Sequence, residues 1–281
     1  PQNGANGTVE GGQGSDSVIG TSGNDSFTLG GVEYVDLGAG EDAAWFWAPG
    51  GNAGNTTVLG GTGNDRVYLD NDGTDLNDTV QGTVFLSDVE SVYGGAGLDR
   101  ISAQQSAGNL NIEGGGSGDV INAWGTSSTN INVWGQSGND TINVDTNSNA
   151  PFGGAGYGNS ANVMVDGGGD NDVINVGSSS PANVTVYGGT GLDTINVRAN
   201  DSVWIEGGSE GLNDTVTRGD VINVTVGGSF TNADTLAGGT IWGDNAIDGD
   251  TVVAGDDDVI NAKFNNVGAV HGGGGNDTIT V

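Results

Sequence analysis

The sequence predicts an all-β chain folded as a parallel β-solenoid, a β-roll of stacked coils with two strands each. Three features of its 281 residues indicate this fold. A motif rich in glycine and aspartate recurs along the chain, short segments alternate β-branched with polar residues, and no helical period of useful length occurs. Such repetition is typical of a solenoid, because stacking buries an apolar face that a single coil cannot bury.

The repeated motif has the form V-x-G-G-x-G-x-D-x-[IV]-x-V. Its clearest copies span Val133–Val144, Val165–Val176, Val186–Val197 and Val270–Val281. Other copies place their aspartate at Asp16, Asp65, Asp99 and Asp119, and degenerate copies at Asp25, Asp42, Asp214, Asp220 and Asp258. The step from Asp99 to Asp119 is 20 residues and the step from Asp119 to Asp140 is 21. We therefore expect one main Gly/Asp turn in each coil.

Two short strands are predicted to flank each turn. After the aspartate, Ile142 and Val144 alternate with Thr141 and Asn143, so the apolar and polar pairs lie on opposite faces. A second alternating segment, rich in valine, precedes the glycines. We expect the β-branched residues to point inward. The outward asparagines are expected to form an amide ladder between coils: Asn122, Asn143, Asn175, Asn196, Asn223 and Asn261.

The repeats indicate a single continuous array over residues 1–281 rather than two domains. Irregular spacing between motifs predicts loop inserts near 43–55, 70–88, 145–161 and 228–250. Because the chain begins at Pro1 and ends abruptly at Val281, we expect it to be a fragment of a longer protein.

The composition is strongly acidic, with 36 Asp and Glu against 5 Lys and Arg and a net charge of −31. Such a charge excludes nucleic acid and anionic membranes as electrostatic partners. No apolar stretch is long enough for membrane insertion, and cysteine is absent, so disulfides do not hold the fold. A compact chain with this much like charge is expected to require bound cations.

The turn G-G-x-G-x-D has the chemistry of a calcium site. Glycine permits positive φ and close backbone approach, so that several carbonyl groups can converge, and aspartate adds a charged oxygen. A flexible shell of carbonyl and carboxylate oxygens suits Ca²⁺ better than Mg²⁺. The alternative is a metal-free glycine turn in which the aspartate caps backbone N–H groups.

These copies resemble the calcium-binding β-roll repeats of the RTX (hemolysin-type) family over nearly the whole chain. The resemblance implies several bound Ca²⁺ ions, type I export and an extracellular or cell-surface location in a bacterium. It implies carboxylate ligands at Asp16, Asp25, Asp42, Asp65, Asp99, Asp119, Asp140, Asp172, Asp193, Asp214 or Asp220, Asp258 and Asp277. It implies turn-backbone roles for Gly11, Gly12, Gly14, Gly60, Gly61, Gly63, Gly94, Gly95, Gly97, Gly188, Gly189, Gly191, Gly272, Gly273 and Gly275.

The chain departs from the family pattern in spacing. RTX arrays repeat every nine residues and carry ions on both edges, whereas here only Asp16 and Asp25 show that step. One main ladder on one edge is therefore expected, with loops such as 125–129 on the other. The pairs Leu37-Gly38 and Gly135-Gln136 interrupt the glycine pattern, which makes calcium less secure there.

The expected function is structural: a surface-layer, adhesin or extracellular-matrix segment shaped by calcium. The alternative is the calcium-folding secretion and stability domain of an RTX enzyme whose catalytic part lies outside this chain. The chain itself is not expected to be an enzyme, since His271 is its only histidine and metal binding accounts for the spread of carboxylates.

Aromatic residues suggest a contact surface. Trp134, Tyr187, Trp204 and Trp242 fall at outward positions, either as a lid over the strand backbone or as a surface for a neighbouring subunit or a glycan. Aromatics of the predicted inserts are the expected lateral contacts in self-association: Trp45, Trp47, Phe152 and Tyr157.

Overall fold

The architecture is a β-solenoid made of two parallel sheets. A computed structural model describes residues 4–47, 55–69, 82–145, 160–177, 183–199, 203–208, 219–226, 240–244, 257–263, 269–273 and 275–281. In these residues each sheet has twelve strands, and the chain alternates between the sheets with every strand. The described residues contain no helix, and hence none that could span a membrane. The predicted all-β parallel solenoid is confirmed.

Odd-numbered strands form sheet A. These are β1 Asn6–Glu10, β3 Ser26–Gly30, β5 Ala43–Phe46, β7 Arg66–Tyr68, β9 Ser91–Gly95, β11 Gly108–Gly116, β13 Thr129–Ser137, β15 Asn162–Gly169, β17 Asn183–Thr190, β19 Val203–Gly208, β21 Thr240–Asp244 and β23 Ala269–His271.

Even-numbered strands form sheet B. These are β2 Ser17–Thr21, β4 Tyr34–Gly38, β6 Thr56–Leu59, β8 Val84–Ser87, β10 Arg100–Gln105, β12 Val120–Gly125, β14 Thr141–Val144, β16 Val173–Gly177, β18 Thr194–Ala199, β20 Val221–Val226, β22 Val259–Lys263 and β24 Thr278–Thr280.

The core lies between the two sheets and consists of columns of identical or similar side chains. In sheet B, Ile121, Ile142 and Ile174 stand opposite one another on successive strands, and all three are fully buried. Sheet A supplies a facing valine column that includes Val133 and Val165. Burying each such side chain contributes roughly 1.5–3 kcal/mol to the stability of the fold. The inward residues whose alternation predicted the strands therefore also stabilise the packing of the two sheets.

Three strands lie inside the predicted inserts. β5 begins at Ala43, with Ala44 fully buried; β8 occupies 84–87, with Leu86 in the core; and β21 occupies 240–244. The inserts are therefore shorter than predicted. These strands have four or five residues, and aromatic or irregular flanking sequence hides their alternation. Most other insert residues lie outside the described part of the chain.

The two edges of the solenoid are defined by the direction of the connection. At the AB edge the chain passes from a strand of sheet A to the next strand of sheet B, and at the BA edge it returns from B to A. Every Gly/Asp turn among the described residues belongs to one of these edges, and the edge it occupies decides which other turns it meets.

Candidate metal centre: the aspartate ladders

The motif aspartates are buried although they are ionisable. Asp42, Asp65 and Asp220 are fully buried, and seven others are almost as inaccessible: Asp25, Asp99, Asp119, Asp140, Asp172, Asp193 and Asp258. Asp16 and Asp277, near the ends of the array, are half-buried. Asp214 lies outside the described residues, so among the two alternatives the structure places only Asp220 in a turn.

Hydrogen bonds link the aspartates from coil to coil. Oδ1 of Asp140 accepts the backbone N–H of Asp119 at 2.7 Å, and Oδ1 of Asp172 accepts that of Asp140 at 2.8 Å. The pattern continues through Asp193 and Asp220 to Asp258 and Asp277. Each carboxylate thus caps the turn of the preceding coil through Oδ1. The metal-free alternative expects such capping, and it accounts for this one of the two oxygens.

The ladder does not stay on one edge, contrary to the expectation from spacing. Asp25, Asp42 and Asp65 lie on the BA edge, where Oδ1 of Asp42 accepts Asp25 N–H at 2.7 Å and Oδ1 of Asp65 accepts Asp42 N–H at 2.9 Å. The eight described motif aspartates from Asp99 onward all lie on the AB edge. The molecule therefore carries two successive ladders on opposite edges, which we call the BA ladder and the AB ladder.

Two glutamates that sequence reasoning missed cap motif aspartates in the way that the next aspartate does elsewhere. On the BA edge, Glu90 accepts the N–H of Asp65 at 2.7 Å through Oε2, and its Oε1 accepts the Gln105 amide at 2.8 Å. On the AB edge, Oε2 of Glu33 accepts the N–H of Asp16 at 2.8 Å. Neither glutamate follows a G-G-x-G turn. Their longer side chains reach the same backbone position, and the only sequence signal is an acid directly before a strand.

The BA edge of the later coils uses different caps. Asp145, which was assigned to an insert, is buried, and its two oxygens accept N–H groups from Gly125 at 3.1 Å and Ser160 at 2.8 Å. Thr126 and Thr129 complete the local network through their hydroxyl groups. The expected loop at 125–129 therefore lies on this edge, opposite the AB ladder.

The second carboxylate oxygen is the unusual feature of the ladders. Oδ2 is buried without a hydrogen-bond partner in seven motif aspartates: Asp16, Asp42, Asp65, Asp119, Asp140, Asp172 and Asp193. A Cβ placed on Gly114 would lie 2.6 Å from Oδ2 of Asp119 and 2.9 Å from the carbonyl oxygen of Gly135 in the next coil. Two acceptor oxygens thus converge beside the first glycine of the turn, and neither can donate a proton while Asp119 is ionised.

This convergence explains the first glycine of each motif. Gly94, Gly135, Gly167 and Gly188 stand in the same arrangement, each against its own aspartate Oδ2 and a carbonyl of the next coil. Gly11 and Gly60 show it near the N-terminus, and Gly272 lies against the Asp277 side chain. At these glycines a Cβ would displace either the carboxylate or the next coil, whereas the Asp42 motif has Leu37 at this position, with its side chain buried in the core.

The second and fourth motif positions require glycine for a different reason. Positive φ occurs at the second position in Gly12, Gly61, Gly95, Gly189 and Gly273, and at the fourth in Gly14, Gly63, Gly191 and Gly275. Gly97 is not among the residues with positive φ. Gln136, Ser117 and Asp170 adopt positive φ at equivalent positions (76°, 73° and 73°), so the turn keeps its shape where the motif is degenerate.

Burial shifts the protonation of the ladder toward the neutral acid. Desolvation raises the pKa of Asp172 to about 8, with repulsion from Asp193, Asp140 and Asp170 adding to the effect. Desolvation likewise raises the pKa of Asp65 and Asp119 to about 7. For Asp140 and Asp193 the pKa rises to about 6, and that of Asp42 is raised as well, again mainly through desolvation.

The donor set fits a hard cation. An ionised buried carboxylate with an unpaired oxygen costs several kcal/mol unless a positive charge or a proton compensates it. Carboxylate Oδ2 atoms and glycine carbonyls are the oxygen ligands that Ca²⁺ accepts. Within the described residues no group of three or more His, Asp or Glu side chains is close enough to bind a metal by itself. A cation would therefore depend on backbone carbonyls.

The outer faces of the sheets carry amide ladders. In sheet B, Nδ2 of Asn143 donates to Oδ1 of Asn122 at 3.1 Å, and the bonds continue through Asn175, Asn196, Asn223 and Asn261. This prediction is confirmed. Sheet A has a second ladder that was not predicted, in which Asn109, Asn130, Asn162 and Asn183 are joined at 2.7–3.0 Å.

Two of the aromatics expected to make lateral contacts are engaged within the chain. Trp45 stacks on Tyr68 at 5.3 Å between ring centroids, and Tyr68 stacks on Tyr93 at 4.7 Å. Trp47 lies against Gly30. Phe152 and Tyr157 lie outside the described residues. Of the other named aromatics, Trp204 is exposed and donates to Glu206 at 2.9 Å.

Comparisons with protein-family models, with curated proteins and with solved structures give no match for this chain. The class of protein that the fold and the ladders define is a parallel β-solenoid with rows of buried carboxylates in its turns.

Proposed function

We propose that this chain is a calcium-dependent structural segment of the bacterial cell surface or extracellular matrix, as in a surface layer, adhesin or filament. The observation that carries the proposal is the repeated, buried and unpaired Oδ2 beside a glycine carbonyl of the next coil. Ions that bridge neighbouring coils would hold the solenoid in shape only where Ca²⁺ is abundant, which is outside the cell. The RTX resemblance of the motif supports the same ion and location.

Calcium has a direct structural role in this proposal. Asp119, Asp140, Asp172 and Asp193 would each contribute Oδ2, with carbonyl groups of neighbouring turns completing the shell. The bound ion would supply positive charge to the interior, remove the repulsion within the row and order one coil against the next. Binding would then be cooperative along a ladder, as in other one-dimensional repeat arrays.

The test is to follow β-structure by circular dichroism while Ca²⁺ is removed and returned at neutral to alkaline pH. We expect the β signal to fall in excess chelator, to return with millimolar Ca²⁺, and to return poorly with Mg²⁺, whose small octahedral shell suits a carbonyl-rich turn less well. The same β signal and thermal stability with and without Ca²⁺ would contradict the calcium part of the proposal.

The second candidate is a calcium-folding secretion and stability domain of an RTX enzyme. It is favoured by the internal engagement of Trp45 and Trp47, which were the expected lateral contacts and instead pack against neighbouring coils of the same chain. Light scattering in Ca²⁺ separates the two candidates. Concentration-dependent assembly supports the surface-segment proposal, whereas a monomer over a wide concentration range favours the enzyme domain.

A further inference from the structure

A row of alternating aromatic and acidic side chains runs along the outer face of sheet A, beside the AB edge. Each member directly precedes the first position of a glycine turn, and each stands opposite the next on the neighbouring strand. Over six consecutive strands from β9 to β19 the members are Tyr93, Glu113, Trp134, Asp166, Tyr187 and Glu206. We call this set the aromatic–acid row. Its backbone register continues to Trp242 and His271.

The row is partly open to solvent and is not closed by ring stacking. All six side chains are half-buried. In the part of the chain that the structure describes, stacked rings end at Tyr93, because Glu113 takes the next position. A carboxylate then separates each remaining ring from the next one, so that Trp134 and Tyr187 do not cover each other.

A polar strip lies on the same face, four residues before the row along each strand, with the column of Asn111, Asn132, Met164 and Thr185 between the two. The amides of Asn109, Asn130, Asn162 and Asn183 form the ladder described above, in which each internal amide donates one hydrogen bond and accepts another. An amide has two N–H donors and two lone pairs, so each keeps one donor and one acceptor for a ligand. The face therefore offers ring surfaces, carboxylates and free amide capacity in parallel lines.

The electrostatics select the charge of the ligand. The three charged members of the row, Glu113, Asp166 and Glu206, are all acidic, and the whole chain has a net charge of −31. An anionic polymer is repelled by this face, whereas a cationic one meets a carboxylate between each pair of rings. Ring faces also attract cations through their quadrupole.

The spacing selects an extended polymer with a two-unit repeat. Neighbouring strands are ~4.8 Å apart, so an aromatic ring on every second strand recurs every ~9.6 Å along the solenoid axis. In an extended β-1,4-linked sugar chain successive rings alternate in orientation, and the same ring face returns at every second sugar, at a closely similar distance. Sugar C–H faces pack on aromatic rings, and hydroxyl and amino groups donate to carboxylates and amides.

We propose that the aromatic–acid row is a binding strip for an extended β-1,4-linked polysaccharide of amino sugars. Trp134 and Tyr187 contact alternate sugar rings, and Glu113, Asp166 and Glu206 pair with protonated amino groups in between. The polymer lies along the solenoid axis, next to the AB ladder. This strip names a partner for the proposed surface segment, but it requires only the folded roll and not a particular ion in the turns.

The test uses isothermal titration calorimetry of the folded chain at mildly acidic pH with a glucosamine hexamer. We expect measurable binding, weaker binding of the neutral N-acetylglucosamine hexamer, and none of a galacturonate oligomer. Trp134→Ala and Tyr187→Ala are each expected to weaken glucosamine binding by about tenfold, the effect of losing one aromatic contact. Trp134→Phe should restore most of it.

The matched controls separate charge, rings and folding. Glu113→Gln with Asp166→Asn should weaken binding of the glucosamine hexamer but leave that of the acetylated hexamer nearly unchanged. Thr141→Ala with Thr194→Ala, on the outer face of sheet B, should change neither. Circular dichroism verifies that each variant keeps its β-structure, so a loss of calcium-dependent folding is recognised separately from a loss of glycan binding.

Two outcomes would overturn the proposal. One is the absence of binding of both sugar hexamers to the folded chain, or binding that the aromatic variants leave unchanged. The other is preferential binding of a basic polyproline peptide, such as a Pro-Pro-Arg repeat, whose turn of about 9.3 Å matches the same ring spacing. That result would assign the row to a protein partner instead.

Discussion

The N-terminal and C-terminal parts of the solenoid arrange their buried turn carboxylates in different ways. The BA ladder has three aspartates and ends on Glu90, and the strands around it are short, with three residues in β7 and four in β8. The AB ladder is longer and is flanked by strands of up to nine residues, such as β11 and β13. One column on the outer face of sheet A also changes: in the coils of the BA ladder its aromatic rings stack on one another, and in the coils of the AB ladder rings alternate with acids.

The difference shows that a buried carboxylate row can be interrupted without breaking the solenoid. At the junction, Glu90 caps Asp65 on one edge while Asp99 begins the row on the other. Both sheets continue across this point without a gap in strand pairing, through β7–β9 and β8–β10. The sheets therefore carry the continuity of the fold, and each ladder is an electrostatic unit of its own.

The largest effect is expected from filling the first glycine position of a motif. Gly114→Ala in the AB ladder places a Cβ 2.6 Å from Asp119 Oδ2 and 2.9 Å from the Gly135 carbonyl oxygen. Gly60→Ala in the BA ladder places one 2.8 Å from Asp65 Oδ2 and in overlap with the Asp88 carbonyl. Each change should destabilise the fold by more than about 3 kcal/mol, because backbone must move apart.

The measurement is urea unfolding in Ca²⁺, followed by circular dichroism. Gly7→Ala is the matched control, since nothing lies within 4 Å of a Cβ at that position, and it should be nearly neutral. If Gly60→Ala were tolerated while Gly114→Ala was not, the two ladders would differ in how closely their coils approach. Tolerance of both changes would contradict the close packing described for the turns.

A smaller effect on the free energy of unfolding is expected from replacing one aspartate by asparagine. The sign of this effect should depend on whether Ca²⁺ is present. In Asp172→Asn and Asp65→Asn the retained Oδ1 still accepts the N–H group of the preceding coil, and the new NH₂ can donate to the neighbouring carbonyl. In calcium-free buffer at alkaline pH each variant should be more stable than the wild type by about 1–3 kcal/mol. In Ca²⁺ the order should reverse, because a ligand is lost.

Hydrogen exchange shows whether the effect stays within one ladder. Asp65→Asn should alter the calcium dependence of exchange mainly in the N-terminal coils, and Asp172→Asn mainly in the C-terminal coils, since the hydrogen-bonded rows are separate. Equal changes throughout the chain for both variants would mean that the solenoid behaves as one cooperative unit despite the change of edge.

The motif does not predict the change of edge, because the edge depends on the number of strands between two successive turns. A turn returns to the same edge only after an even number of strands. Two strands, β10 and β11, separate Asp99 from Asp119, but three strands, β7 to β9, separate Asp65 from Asp99. The middle one, β8, lies within the predicted insert at 70–88, and overlooking it hid the odd count.

Local chemistry was far more predictable than this topology. The alternation around Ile142 and Val144 predicted their burial, and the outward asparagines predicted the amide ladder of sheet B. The motif also placed Asp119, Asp140 and Asp172 in one row. Glu33 and Glu90 escaped because a capping glutamate needs no glycine turn, so that only the three-dimensional register reveals its role.

The central claim is that the buried carboxylates of the ladders require a compensating charge, which either protons or calcium can supply. Burial raises the pKa of Asp172 to about 8 and that of Asp119 to about 7, from an ordinary value of 3.8. The folded state therefore binds more protons than the unfolded state between these values. In calcium-free buffer the contribution of these groups to the free energy of unfolding is fully present below about pH 4 and is lost as the pH rises through about 6 to 8.

The most direct test is the free energy of unfolding in urea at about pH 5 and about pH 8.5, in metal-free buffer and in millimolar Ca²⁺, over the pH range set by these pKa values. Without calcium, we expect the chain to be clearly more stable at the lower pH. Calcium should add much stability at the higher pH and little at the lower one, because protons already neutralise the ladders there. Equal stability at both pH values without calcium, together with no gain from Ca²⁺ at about pH 8.5, would contradict the account.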